Sequence, residues 1–405
     1  MVLIRPFRAL RPTPEKAAQV SCVPYDVADA GEVREFIAEN PLSFLRVTRA
    51  EAAAGGLAGA TALRSAEQSL ESLRNEGVLV ADPEPSLYVY RLSGDFHSQT
   101  GVVACCSLDE YEAGKIKKHE STRPDKVEER MRHITALRAQ TGLIFLAYRG
   151  TDLINALVAE TTKTPPVYDF VGLNGIRQTV WRVGPGTEII EAFAGVAALY
   201  IADGHHRAES ALLARNLFRE QNPRHTGEED YNFVLSCMFP AEQLKILAYN
   251  RAVRNLNGLS EEDFLAKLGE SFIFTASDRR EPRYHGEICM YVGGKWYDLR
   301  FAVKYVRQPD PIERLDVSIL QQYILAPILG VDDPTTDERL IFIGGTRGTA
   351  ELERMVDEGE ARVAFSLYPT TMEDLFAVSD MDAIMPPKST WFEPKLKDGL
   401  FVHMI

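Results

Sequence analysis

Three pairs of strand-like segments, each joined by a short turn containing glycine, constrain the fold of this chain more than any other feature. The turns are Ser93-Gly94, Asn174-Gly175 and Gly293-Gly294, and the paired segments are Leu87 to Leu92 with Val102 to Leu108, Val167 to Val171 with Arg177 to Val183, and Glu287 to Val292 with Trp296 to Phe301. Connections this short join antiparallel strands, whereas parallel strands need a long crossover. The sequence therefore disfavours a purely parallel, doubly wound sheet.

Segments of helical periodicity lie before, between and after these pairs. The predicted helices are Ala60 to Asn75, Glu128 to Gln140, Asp152 to Glu160, Ala208 to Glu220, Glu261 to Leu268, Val317 to Leu325 and Ala350 to Asp357. Two short apolar runs, Leu143 to Tyr148 and Ala197 to Ala202, are typical of buried strands. The pattern predicts the α+β class, with mixed sheets, hairpins and flanking helices.

The length of 405 residues favours more than one domain. We expect an N-terminal region over residues 1–225 and a C-terminal α+β region over 226–405 whose tail returns to the functional site. The polar stretch Gln221 to Asp230 suggests the first boundary, and Pro309 to Pro311 is a second candidate.

Charge and cysteine content narrow the classes of function. The 45 basic and 58 acidic side chains give a net charge of -13, which disfavours a broad contact with nucleic acid or an anionic membrane. No long apolar run is present, and the five cysteines show no C-x-x-C spacing. We expect a cytoplasmic protein with no membrane partner, and the sequence leaves the oligomeric state open.

Two common nucleotide-binding motifs are missing from the sequence. Gly294-Lys295 is followed by Trp296 and preceded at position 289 by cysteine, so there is no Walker-type P-loop. Gly184 and Gly186 begin a G-x-G pattern, but Ile189 stands where a dinucleotide fingerprint has its third glycine.

The strongest local feature is the run from Tyr200 to Arg207. An apolar strand ends at Asp203, Gly204 permits a sharp turn, and an Ala-rich helix follows. Such a turn directs backbone N–H groups and the helix dipole at one point, which favours phosphate. Arg207 can clamp phosphoryl oxygens, and Asp203 can hold Mg²⁺ or accept a proton. The alternative is that Asp203 caps the helix, His205 and His206 are ordinary surface groups, and Arg207 pairs with a carboxylate.

Two further polar segments are candidates. Glu120 precedes the predicted helix at Glu128 and has the chemistry of a general base or metal ligand. In that helix Met131, Ile134 and Leu137 can form a buried stripe, with Arg130 and His133 on a different face. Near the C-terminus, the proline-stiffened segment Met385 to Lys395 is predicted to close over the site. We also expect that residues 385–405 can be deleted without unfolding the protein. For both segments the alternative is structural: a solvated charged face and a packed tail.

These segments together resemble the DUF1015 family. The resemblance rests on Arg5 to Pro12, Val23 to Val27, Asn40 to Val47, His119 to Thr122, Ala202 to Arg207 and Met385 to Lys395. The D-G-H-H-R run is also similar to the phosphate-binding motif of the ParB and sulfiredoxin superfamily, which includes free serine kinases. The resemblance implies a ParB/sulfiredoxin-like nucleotide-binding core in the N-terminal region.

Carried onto this sequence, the resemblance implies a nucleotide-dependent phosphotransferase that uses ATP or ADP, with Mg²⁺ as a candidate cofactor and L-serine or another small hydroxyl metabolite as substrate. A non-catalytic ParB-like nucleotide-binding switch is the alternative. The implied roles are catalytic for Glu120 and Asp203, with Asp203 also the candidate Mg²⁺ ligand, and nucleotide-binding for Gly204, His205, His206, Arg207 and Lys388. The other candidate site residues are His119, Thr122, Arg251, Ser389, Thr390 and Lys395.

Overall fold

The structure is a computed structural model that describes residues 3–53, 56, 59–95, 97–172, 175–301 and 310–405. The chain forms two compact units. Unit 1 comprises Met1–Lys118, Thr122–Leu244 and Pro394–Ile405, and unit 2 comprises His119–Ser121 and Lys245–Glu393. The division of the chain into domains at residue 225 stays a prediction, and the second candidate boundary begins at Pro309, outside the described residues.

The described residues contain fourteen α-helices. They are α1 (Ala17–Val20), α2 (Ala30–Glu39), α3 (Leu45–Thr48), α4 (Ala50–Ala53), α5 (Gly59–Asn75), α6 (Leu108–Glu112), α7 (Pro124–Leu137), α8 (Asp152–Thr161), α9 (Thr187–Ala194), α10 (His205–Gln221), α11 (Glu261–Leu268), α12 (Asp316–Leu320), α13 (Gly348–Asp357) and α14 (Met372–Asp380). A π-helical turn, Gln321–Leu325, continues α12.

The same residues contain twenty-one strands. They are β1 (Ile4–Arg5), β2 (Ala9–Pro12), β3 (Leu79–Ala81), β4 (Leu87–Ser93), β5 (Ser98–Ser107), β6 (Ile116–Lys117), β7 (Ala139–Gln140), β8 (Ile144–Tyr148), β9 (Tyr168–Val171), β10 (Arg177–Gly184), β11 (Leu199–Asp203), β12 (Phe233–Pro240), β13 (Ile246–Leu247), β14 (Asn250–Val253), β15 (Phe272–Ala276), β16 (Glu287–Val292), β17 (Lys295–Phe301), β18 (Leu340–Ile343), β19 (Val363–Leu367), β20 (Trp391–Phe392) and β21 (Val402–Met404).

The main sheet of unit 1 is mixed. Its strand order is β6-β11-β8-β12-β5-β4-β10-β9, with β1 added beside β5. The pairs β6·β11 and β8·β12 are parallel, and the other pairs in this sheet are antiparallel. The apolar core between this sheet and its helices includes Ala208, Ala211 and Ala214 of α10. These small side chains recur every third residue, which lets α10 approach its neighbours closely.

A second sheet of unit 1, in the order β3-β2-β21-β7, incorporates the end of the chain. Strand β21 pairs with β2 on one side and β7 on the other. The residues just before it, Leu400 and Phe401, are no more than 1% exposed. The prediction that residues 385–405 can be deleted without unfolding is therefore wrong, because the deletion removes an interior strand and part of the core.

Unit 2 is built on a six-stranded antiparallel sheet in the order β15-β17-β16-β19-β14-β18. Helix α13 covers it with Leu352 and Met355, which pack against Trp296 and Ala364. A separate two-stranded sheet joins β13 and β20.

The α+β prediction is confirmed, including all three hairpins. Strands β4 and β5, β9 and β10, and β16 and β17 are antiparallel neighbours; Asn174 in the second turn lies outside the described residues. The seven predicted helices and the two buried strands form at nearly the expected bounds. One helix ends early: α7 stops at Leu137, Arg138 takes a left-handed φ of 46°, and Ala139–Gln140 form β7.

The burial of α7 differs from the prediction. Arg130 and His133 are 8% and 5% exposed, so they lie on the buried face together with Ile134 and Leu137, whereas Met131 is only half-buried. A hydrogen bond to a backbone carbonyl lets each polar side chain enter the interior: Arg130 donates to Thr48 O, and His133 Nε2 lies 2.9 Å from Val47 O. Among the described residues, no helix combines the length and apolar character needed to cross a membrane.

Candidate functional site

The turn between β11 and α10 has the shape that the sequence predicted. Strand β11 is buried through Ala202, and Gly204 follows Asp203 with a φ of 97° before α10 begins at His205. A side chain at Gly204 would be strained by this φ, and its Cβ would lie 3.0 Å from Arg207 Nε. Glycine therefore permits both the turn and the close approach of the arginine to the backbone.

Arg207 lies one turn into α10 with its side chain only 11% exposed. Its Nη1 donates to Leu143 O at 2.7 Å, and its Nη atoms lie 3.9 Å from one carboxylate oxygen each of Asp203 and Asp398. Its Nε is buried and has no hydrogen-bond partner. Burial would lower the pKa of Arg207, but the carboxylates of Asp203, Asp26 and Asp398 raise it above its ordinary value. The guanidinium is thus permanently charged and held in place, and its buried Nε has no hydrogen-bond partner.

Asp203 forms an ion pair with Lys395, whose Nζ lies 3.0 Å from Oδ2. Its other oxygen accepts a hydrogen bond from the Gly204 N–H at 2.9 Å. Burial alone would raise the pKa of Asp203, but the positive charges of Lys395 and Arg207 lower it well below its usual range. A carboxylate with so low a pKa is a weak base. Each oxygen of Asp203 thus has one partner in the protein, and its assignment as a Mg²⁺ ligand stays a prediction.

An aromatic ring lies between two of the arginines. The guanidinium of Arg130 is 4.4 Å from the centroid of the Tyr25 ring, and that of Arg207 is 5.9 Å from it. Both distances are in the range of cation–π attraction. Burial and the neighbouring charge of Asp26 raise the pKa of Tyr25 above its ordinary value. The ring is therefore neutral, and both guanidinium groups lie within cation–π range of it.

A small cavity of about 30 Å³ lies beside this group. Tyr25, Arg130, Arg207 and Asp398 line it together with Gly142. The Nε atoms of both Arg130 and Arg207 are buried without a hydrogen-bond partner. The cavity has room for about two water molecules.

Asp398 is a buried carboxylate, 3% exposed, that enters this group from the C-terminal segment. Its backbone exchanges two hydrogen bonds with Cys22, which fixes its position. A Cβ at Gly142 would lie 2.7 Å from Asp398 Oδ1, so a glycine is needed opposite it. Burial raises the pKa of Asp398 to about 7, against the opposing effect of Arg207.

The two histidines of the turn differ in their surroundings. His205 is 5% exposed, whereas His206 is half-buried and its Nε2 accepts a hydrogen bond from the Arg123 N–H at 3.1 Å. Thr122, another predicted site residue, directly precedes Arg123. Unit 1 therefore brings the loop before α7 to the first turn of α10.

The other predicted residues form a group of their own in unit 2. Arg251 donates to the carbonyls of Pro387 and Lys388, and the ammonium of Lys388 lies 5.9 Å from the centroid of the Tyr249 ring. Burial lowers the pKa of Arg251 to about 9.

Two hydroxyl side chains complete this group. Ser389 Oγ donates to Pro386 O at 2.6 Å, and Thr390 Oγ1 lies 3.1 Å from His119 Nε2. Glu120 follows His119 and is half-buried. Because Glu120 belongs to unit 2 and Asp203 to unit 1, their assignment to one catalytic site stays a prediction.

Sequence reasoning missed the residues that hold Arg207 in place. Tyr25 and Asp26 stand in one of the segments that carried the family resemblance, so a signal existed, but no role was assigned to them. Asp398 gave no signal, because a charged residue near the end of a chain is usually solvated.

The family model described as "Protein of unknown function (DUF1015)" matches residues 4–318. The chain belongs to the DUF1015 family. The matched region includes the turn at Asp203 and both arginines that contact Tyr25, whereas Lys395 and Asp398 lie beyond it. No curated protein matches the sequence of this DUF1015 chain.

Solved structures with a similar arrangement have low identity to it. A conserved hypothetical protein from Pyrococcus furiosus is 15% identical, with 75% of this chain and 95% of that chain covered and a TM-score of 0.36. A free serine kinase in complex with AMP is 14% identical, with 74% and 91% covered and a TM-score of 0.37. SbnI from Staphylococcus aureus, with a C-terminal truncation, is 13% identical, with 75% and 87% covered and a TM-score of 0.41.

Proposed function

We propose that this protein binds a nucleotide, ATP or ADP, and transfers a phosphoryl group to a small hydroxyl compound, with L-serine or a related hydroxy acid as the first candidate. One observation carries the proposal: the turn at Gly204 places Arg207 at the start of α10 with its Nε unused and its charge secured by three carboxylates.

Phosphate suits this turn for two physical reasons. The N-terminus of a 17-residue helix carries partial positive charge, and Gly204 provides no side-chain cap that would occupy it. Arg207 and Lys395 place two cationic side chains in the same unit, although carboxylates offset part of their charge, and a guanidinium forms strong, charge-assisted bonds to phosphoryl oxygens. Phosphoryl transfer depends mainly on such positioning and charge stabilisation.

The roles in the proposed reaction are divided between the predicted residues. Gly204, His205, His206 and Arg207 bind phosphate, and Lys388 supplies a further cation. Glu120 is the proposed base that accepts the proton of the substrate hydroxyl. Asp203 holds Lys395 in place, since its low pKa makes it a poor base. His119, Thr122, Arg251, Ser389 and Thr390 are proposed to shape the substrate site.

A nucleotide-binding switch without catalysis is the second candidate. The observation in its favour is that the carboxylate of Asp203 is held by Lys395 and the Gly204 N–H and has a low pKa, which makes it a poor base. Such a protein would bind nucleotide at Arg207 and pass the signal to a partner, with no product formed.

The test is a product assay joined to a binding assay. Purified protein is incubated with ATP or ADP, Mg²⁺ and a panel of small hydroxy acids that includes L-serine, and phosphorylated product is measured by mass spectrometry. Product formation supports the kinase; nucleotide binding with no product supports the switch. Absence of nucleotide binding contradicts both.

Three variants assign the roles. Arg207→Ala should weaken nucleotide binding by roughly ten- to hundredfold, because it removes a charge-assisted phosphate contact. Arg207→Lys, which keeps the charge without the planar fork, should fall between it and the wild type. Glu120→Gln should lower turnover by about 10² or more with little change in affinity. Arg132→Ala, an exposed site on α7, is the matched control and should leave both unchanged.

A further inference from the structure

The carboxylate of Asp398 has no role in the proposed reaction, yet it faces the proposed phosphate-binding arginine. Its Oδ1 lies 3.9 Å from Arg207 Nη1, and the side chain is buried. An ionised carboxylate in this position neutralises part of the charge that a phosphate needs.

We propose that Asp398 links binding of phosphate at Arg207 to the uptake of one proton, so that the nucleotide binds more tightly as the pH falls. This inference rests on the proposed function. The proton comes from the solvent and converts the Asp398 carboxylate into a neutral acid. Arg207 then keeps its full charge for the incoming phosphoryl oxygens.

Charged and titratable groups from several elements surround Asp398 and affect its ionisation. Arg207 of α10 and Arg130 of α7 favour its charged form, as does the Tyr25 backbone N–H, whereas the carboxylate of Asp26 disfavours it. Lys397 is its neighbour along the chain, and Cys22 contacts its backbone. His133, which lines the same cavity, has its pKa lowered to about 4 by burial and by Arg130, so it is neutral at pH 7.

A bound phosphate favours the neutral form of Asp398 over its ionised form. It adds negative charge beside Arg207, and a second negative group close to a buried carboxylate disfavours ionisation of that carboxylate. Water screens this repulsion little at a side chain that is 3% exposed. Asp398 already has a pKa near 7, so only a modest further rise is needed for proton uptake around pH 8.

Isothermal titration with ADP, carried out in buffers of different ionisation enthalpy, measures the protons taken up for each nucleotide bound. Between pH 7.5 and pH 9 the terminal phosphate is already ionised, since its last pKa is near 6. The expected uptake is roughly half a proton near pH 7.5 and declines toward pH 9, and the affinity should fall about threefold across that range.

Asp398→Asn keeps the shape of the side chain without a titrating group. It should abolish proton uptake, flatten the pH dependence and bind ADP several-fold more tightly than the wild type at pH 9. A residue with a merely structural role would weaken binding at every pH. Asp152→Asn, an exposed acidic site at the start of α8, is the control and should keep the wild-type slope.

Each other result has a distinct meaning. ADP binding by the wild type without proton uptake overturns the linkage and leaves the proposed function standing, as does an Asp398→Asn variant with an unchanged slope. If the wild type binds no nucleotide at any pH, the proposed function fails and this inference fails with it. Because the wild-type titration alone measures uptake, poor folding of the variant does not prevent a decision.

Discussion

Single residues in this protein are placed by backbone constraints as much as by side-chain contacts. Gly142 and Gly204 stand opposite Asp398 and Arg207, and a Cβ at either glycine would meet the charged group at 3.0 Å or less. The sequence identified Gly204 because it stands in a recognisable strand-turn-helix pattern. It gave no reason to single out Gly142, whose requirement comes from a residue more than 250 positions away in the chain.

Replacing Gly204 by alanine should disturb Arg207 specifically. The substitution imposes strain at a φ of 97° and also pushes a Cβ against Arg207 Nε. Gly227 has the same φ of 97° but nothing within 4 Å of its Cβ position, so Gly227→Ala measures the strain alone. We expect both variants to lose about 1 to 2 kcal/mol of the free energy of unfolding. ADP binding should weaken only in Gly204→Ala, and equal binding by both variants would contradict this account.

His133 should make the folded state sensitive to acid. Burial and the charge of Arg130 lower its pKa from 6.5 to about 4, so the unfolded chain binds a proton that the folded chain excludes. The stabilising contribution is complete above pH 6.5 and is lost as the pH falls toward 4. Over that range the wild type should lose about 3 kcal/mol relative to His133→Gln, whose amide can still donate to Val47 O. Urea unfolding of both proteins at pH 6.5 and pH 4 measures the difference, and parallel pH curves would refute it.

At the scale of elements, local sequence patterns predicted the helices and hairpins, whose structure depends on residues close together in the chain. The three hairpins form as expected because a short turn alone sets their pairing and register. Strand β12 was missed although all eight of its residues are buried, because Ser236 interrupts the apolar run and Pro240 ends it. Strand β21 was missed because its partner β2 lies at the opposite end of the chain, and no local pattern records that pairing.

The chain end should therefore stabilise unit 1. Phe401 is 1% exposed and packs against the rings of Phe7, Tyr88 and Tyr90, at centroid distances of 4.9 to 6.4 Å. Phe401→Ala should cost about 3 to 5 kcal/mol of the free energy of unfolding, which urea denaturation measures. Met381→Ala, at a side chain that is 57% exposed, is the control and should cost little. A Phe401→Ala variant as stable as this control would show that the tail contributes nothing to the core.

At the scale of the whole molecule, the candidate site depends on contacts between distant parts of the chain. Lys395 reaches Asp203 across 192 positions, and Asp398 meets Cys22 across 376. The sequence identified Asp203 to Arg207 because a strand, a glycine and a helix are contiguous there. It predicted that the proline-stiffened segment ending at Lys395 closes over the site, but it missed Asp398, because neither local periodicity nor composition encodes which distant segments meet.

The five cysteines allow the folding of each unit to be followed separately. All are free and buried, with Cys22, Cys105, Cys106 and Cys237 in unit 1 and Cys289 in unit 2. Burial raises the pKa of every one of them, to about 12 for Cys106 and Cys289. Because the thiolate is the reactive form, alkylation at pH 8 should be about 10² times slower or more in the folded protein than in urea.

Iodoacetamide labelling followed by mass spectrometry reads each cysteine individually as urea is added. We expect the four cysteines of unit 1 to become reactive together, because they share one compact unit, and Cys289 to report the opening of unit 2. Ser72→Cys, at an exposed position on α5, should react at the full rate without urea and so confirms that the reagent is active. Rapid labelling of any native cysteine in the folded protein would mean that its segment opens readily, and the burial described for that segment would be wrong.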